Sequence, residues 1–182
     1  MVLTDVERKI LGEFPSFKVV YKHESLLMKA IDLFLKVITF WQMSTFLTQF
    51  TTTVGTTVYV SRNWTKRSPY SKAVTLRHET VHMRQRARMG TVLFSLSYLF
   101  WVFPVGLAKG RRDLEREGYE ETLRAYYEYY GYSYLFRPDV RKRIVSHFTG
   151  PSYFWMWPFR KDCERWYDRV VSKIVEAEES GG

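Results

Sequence analysis

Apolar residues recur at helical steps over much of the chain. In 24–40 (ESLLMKAIDLFLKVITF), Leu27, Ala30, Ile31, Phe34 and Ile38 follow one another at three- and four-residue intervals, the pattern of an amphipathic helix. The next segment, 49–61 (QFTTTVGTTVYVS), changes to Thr and Val around Gly55 and predicts a strand or hairpin. After the basic turn 62–69, Ser68-Pro69 is a helix-start signal and Gly90 a stop, which predicts a helix over about 69–89. On that helix Ala73, Leu76, Thr80, Met83 and Ala87 make one stripe, while Val74 and Val81 give the opposite face apolar character too. A helix buried on two sides is expected.

Residues 91–108 (TVLFSLSYLFWVFPVGLA) carry no charge over eighteen positions, long enough for a membrane span. Pro104 and Gly106 interrupt the run and Ser95, Ser97 and Tyr98 dilute it, so a buried helix ending before Pro104 is expected, with membrane contact as the alternative. A helix over 111–130 stops at Gly131. A further element at 138–148 precedes an aromatic turn, 150–159, and a last helix covers about 160–178, with a frayed tail from Glu176. The fold class that follows is α+β and mainly helical: a minimal zincin-like domain with a short sheet or hairpin beside the 69–89 helix. We expect a single domain over 1–182, with a core at about 49–131, a helical N-terminal extension (1–48) and an aromatic-rich C-terminal one (132–182).

The chain has 182 residues, 46% of them hydrophobic and 18% aromatic, enough for a packed core and too many for disorder. Its formal net charge of +9 admits an acidic partner, a nucleic acid or an anionic membrane surface without choosing among them. Phosphate tracking by Arg84–Arg88, Lys109–Arg112 and Arg137–Arg143 is weighed against ordinary solvated helix faces, and no specific nucleic-acid partner is expected. The one cysteine, Cys163, excludes an intrachain disulfide and a multi-cysteine zinc knuckle. The stretch Met1–Phe14 lacks the layout of a signal peptide, and a cytoplasmic location is the expectation.

The most informative motif is His78-Glu79-Thr80-Val81-His82, or H-E-x-x-H, inside the 69–89 helix. Residues four apart lie one turn apart on one face, so both imidazoles can reach one zinc ion, and Glu79 beside them can act as general base toward a zinc-activated water. Two histidines leave the ion short of a protein ligand. Gln85 and Arg88 exclude a third His at the spacing of the H-E-x-x-H-x-x-G-x-x-H class. His23, expected to be exposed, and His147 remain, as does a carboxylate from the 111–130 helix. That helix offers Glu115, Glu117, Glu120, Glu121 and Glu128. Glu117 is preferred because Gly118 follows it and permits close helix approach. Glu121, one turn on, is the runner-up or a partner to a liganding His. Glu115 and Glu128 suit a solvated face. For the group that stabilises a developing oxyanion the candidates are His147, Tyr119, Tyr126 and Tyr153, of which His147 and Tyr119 are taken with Glu79 as the catalytic set.

Arg77–His82 and Glu115-Arg116-Glu117-Gly118-Tyr119 together resemble the gluzincin metallopeptidases, in particular the compact IrrE/ImmA-like set whose second helix carries E-x-E-A. The resemblance covers roughly 55–130, with Gly118 in place of the family's Ala. It implies Glu117 as third ligand, Glu79 as catalytic base, Zn2+ as cofactor and a peptide or protein substrate, whose backbone would pair with the edge of a strand at Thr56–Val60. A repressor-cleaving role is not implied, because no DNA-binding helix-turn-helix is present. The rivals are a non-catalytic binding protein on a zincin-like scaffold and a basic protein that contacts membrane, through 91–108, or nucleic acid.

Overall fold

A computed structural model describes residues 2–38, 46–99, 108–150 and 156–181. The protein is mainly helical with a small three-stranded sheet, an α+β architecture. It divides into two compact units, Met1–Met83 and Arg84–Gly182, and the division falls within one continuous helix rather than at a linker.

The first unit opens with α1 (Val2–Glu13), which buries Val6 and Ile10, one turn apart. Strand β1 (Lys18–Tyr21) runs into a 3-10 turn at Lys22–Glu24 and then α2 (Leu26–Ile38), where Ser25 Oγ accepts the Met28 amide as an N-terminal cap. A short α3 (Phe46–Gln49) precedes the predicted hairpin, β2 (Thr52–Val54) and β3 (Thr57–Val60). Gly55 turns it with a φ of 68°, a conformation that glycine adopts without a Cβ clash. β3 lies in the middle of the sheet, parallel to β1 (Val19 opposite Val58) and antiparallel to β2 (Thr53 opposite Val58). Its Val58 and Val60 are fully buried. The expectation that Thr56–Val60 offers an edge to substrate is therefore corrected: both of its hydrogen-bonding edges are occupied by the chain's own strands.

Helix α2 also departs from expectation. Met28 and Asp32 face inward, whereas Leu26 (82% exposed), Leu33 (60%) and Phe34 (62%) face outward, with Ala30 and Leu27 also exposed. The inward polar residue has a reason in charge. Asp32 is paired with Lys36 at 2.6 Å and coupled electrostatically to Lys22, which is fully buried. A buried ammonium calls for a nearby carboxylate more strongly than the core calls for one more leucine.

Helix α4 (Pro69–Met89) has the predicted bounds. Ser68 Oγ accepts the Ser71 amide at its start and Gly90, with φ 78°, ends it. Of the expected stripe Ala73, Leu76, Thr80 and Met83 are buried and Ala87 is exposed; on the opposite face Val74 is buried, Val81 half-buried and His82 buried.

The second unit contains α5 (Thr91–Leu99), α6 (Lys109–Tyr130), α7 (Tyr132–Leu135), α8 (Pro138–Thr149) and α9 (Arg160–Gly181). Its core gathers Leu123, Leu135, Val140, Phe148 and Trp166, and Tyr167 Oη donates to the Leu135 carbonyl at 2.7 Å. Helix α9 continues past Glu176, where fraying was expected. On α5, Val92, Leu93 and Leu96 are exposed instead of buried. Pro104 and Gly106, the expected end of that helix, lie outside the described residues, as does Tyr153. No helix among the described residues is long and apolar enough to cross a membrane.

Candidate metal centre

His78, His82 and Gln85 share a face of α4, because steps of four and seven residues return to nearly the same direction on a 3.6-residue helix. Gln85 itself, in the second unit, is bonded to α6. It is 1% exposed, and its Nε2 donates to the Leu114 carbonyl at 2.9 Å and to Glu117 at 3.0 Å. One and two turns before it, the Nε2 atoms of His82 and His78 lie 3.1 Å apart, their rings edge-to-face. The ligand atoms of His78, His82 and Glu115 all lie within 4.8 Å of one another, a group that could hold a metal ion.

The carboxylate that joins the histidines is thus Glu115 rather than Glu117, and it is 3% exposed. Glu117 lies about 200° further around α6. There it accepts from Arg88 at 3.2 Å and from Gln85, and its side chain is 46% exposed. Glu121 is half-buried. The periodicity of α6 contains the missed signal. Glu115 shares a face with Gly118, Tyr119, Thr122 and Leu123, all buried, whereas Glu117 shares one with Glu120, Glu121 and Arg124. An acid placed four residues before a buried tyrosine belongs to the inner face.

Glu79 is 7% exposed, and its Oε2 accepts the Thr53 hydroxyl of β2 at 2.6 Å, a length typical of an O–H bond to a carboxylate. Lys22 is fully buried in this unit. Desolvation drives its pKa down to about 7, against the opposing pull of Glu79 and Asp32. Neither Thr53 nor Lys22 was anticipated. Lys22 carried no sequence signal, since a lysine in a charged stretch ordinarily projects into water.

Of the expected oxyanion-stabilising residues, Tyr119 and His147 meet. Their rings stack with centroids 5.4 Å apart and 21° between planes, and Tyr119 stands one turn beyond Glu115 on α6. Tyr126 instead accepts from Arg143 at 3.2 Å and packs against Tyr134; its pKa is raised, first by burial. His23, expected to be exposed, is half-buried beside Tyr21. Several residues of the basic stretches are engaged within the chain: Arg88 with Glu117, Arg112 with Asp113, Arg137 with Asp139 and Arg141 with Asp168.

Comparison with known protein families, curated proteins and solved structures finds no match to this chain.

Proposed function

We propose that the chain is a zinc-dependent hydrolase of peptide bonds, with His78, His82 and Glu115 as ligands and Glu79 as proton acceptor, a variant of the gluzincin arrangement. One observation carries this reading: the ligand atoms of two histidines one turn apart on α4 and of the buried Glu115 lie within 4.8 Å of one another. Ligand nitrogens about 2.0–2.1 Å from a tetrahedral zinc stand roughly 3.3 Å apart, close to the 3.1 Å between the two Nε2 atoms. Two imidazoles and one carboxylate make the donor set of catalytic zinc, with one position left open.

Zinc held by these three residues would supply Lewis-acid chemistry, activating a water near neutral pH and polarising a carbonyl. Glu79 accepts a proton beside the histidines and returns it to the departing amine. The Tyr119–His147 stack, one turn along α6 from Glu115, supplies a donor to the developing oxyanion.

The test begins with metal analysis of the purified protein, where about one zinc per chain is expected. Hydrolysis of a quenched fluorescent peptide library should follow zinc loading. Glu79→Gln should keep the zinc and lower kcat at least about 100-fold. A protein that carries no metal and is equally stable in chelator is a binding protein, not this enzyme.

A second reading, contact with a membrane surface, coexists with the first. It is favoured by the exposed leucines and phenylalanine of α2 and by the net charge of +9.

A further inference from the structure

The three-stranded sheet does not offer β3 as an edge, yet it reaches the H-E-x-x-H helix at one point. Thr53 stands on the edge strand β2, opposite Val58 of the central strand β3, whose side chain is fully buried, so the donor is mounted on a strand anchored to the middle of the sheet. Threonine is stiff at χ1, and the direction of its hydroxyl is set by the strand. That hydroxyl donates to Oε2 of Glu79 at 2.6 Å. A carboxylate on a flexible side chain is a poor proton acceptor until one oxygen is held and the other is aimed.

We propose that Thr53 is a positioning residue for Glu79: it fixes Oε2 to the sheet, so that Oε1 is presented as the oxygen that takes the proton. The role of Glu79 rests on the hydrolase reading above; the Thr53–Glu79 bond does not. The strand on the other side of β3 contributes to the same carboxylate. Lys22 follows directly after β1, is buried and is coupled electrostatically to Glu79. Thr53 on β2 and Lys22, just after β1, thus both bear on the base.

The test has two arms. In metal-free protein, urea unfolding of wild type, Thr53→Val, Glu79→Ala and the double variant forms a thermodynamic cycle. Thr53→Val keeps the side-chain shape and removes the donor. It should lower the folding constant about 10- to 100-fold when Glu79 is present, the range for a hydrogen bond to a charged group, and less than about threefold when residue 79 is alanine. Effects that simply add overturn the inference.

In zinc-loaded protein, Thr53→Val should lower kcat about 10- to 100-fold, the usual consequence of losing an outer partner, with KM and zinc stoichiometry unchanged. Thr53→Ser, which keeps a hydroxyl, should restore most of it. Should Thr53→Val fail to fold, equal kcat in Thr53→Ser and wild type supports the inference, and a Thr53→Ser that loses kcat as far as Thr53→Ala overturns it. Zinc-loaded wild type that hydrolyses no peptide, despite strong coupling in the cycle, overturns the hydrolase reading and with it the positioning role.

Discussion

Replacing Glu115 by glutamine exchanges a buried anion for a neutral amide of nearly the same shape. With His78 and His82 untouched, the proposed site keeps its two imidazoles and loses its one anionic ligand. Outer partners of zinc ligands are worth about 10- to 100-fold in affinity, so loss of a direct anionic ligand should weaken zinc binding by at least about 100-fold, or about 2.7 kcal/mol. Glu117→Gln is the matched control, two residues away on the same helix. Its carboxylate is bound to Arg88, whose side chain is 65% exposed, and is itself 46% exposed. An ion pair so open to solvent contributes about 0–1 kcal/mol to stability and nothing direct to the ion. Zinc affinity in Glu117→Gln should stay within about threefold of wild type. Competition against a chromophoric zinc chelator at pH 7.5 measures both, with far-ultraviolet circular dichroism to confirm that the helices persist. If Glu117→Gln loses the metal and Glu115→Gln keeps it, the assignment drawn from burial and helix direction is refuted.

Tyr167 makes the protein's stability sensitive to high pH. Burial raises its pKa from 10 to about 12, and its hydroxyl donates to the Leu135 carbonyl. Because the folded pKa is the higher one, this contribution is intact below pH 10 and is lost as pH climbs toward 12. Urea unfolding at pH 8 and 11 should show the advantage of wild type over Tyr167→Phe shrinking by up to about 1.4 kcal/mol per pH unit above 10. On α2, Leu33→Glu with Phe34→Glu changes residues that are 60% and 62% exposed. The pair should move unfolding stability by less than about 0.5 kcal/mol per site while reducing sedimentation with anionic phospholipid vesicles. Equal vesicle binding by variant and wild type removes the membrane-surface reading.

The elements closest to expectation are those written in local chemistry. Pro69 and Gly90 bound α4, Gly131 ends α6 and Gly55 turns the hairpin, because the allowed backbone angles of these residues act within a turn of where they stand. The H-E-x-x-H spacing likewise places two imidazoles on one face of any helix that contains it. Even the third ligand was partly legible: the run Glu115, Gly118, Tyr119, Thr122 marks an inner face, whereas Gly118 and the E-x-E-A similarity pointed to Glu117 instead. Other features depend on segments far apart in the chain. β1 pairs with β3 across more than thirty residues, which makes β3 central and removes it as a substrate edge. On α2, Asp32 faces inward, coupled electrostatically to buried Lys22, and leucines face outward, against the pattern that its apolar residues alone suggest. Turns and helix ends are therefore decided by each residue's own backbone. Which face is inside, and which acid meets the histidines, is decided by what packs opposite, since burial energy belongs to pairs of surfaces and not to single positions.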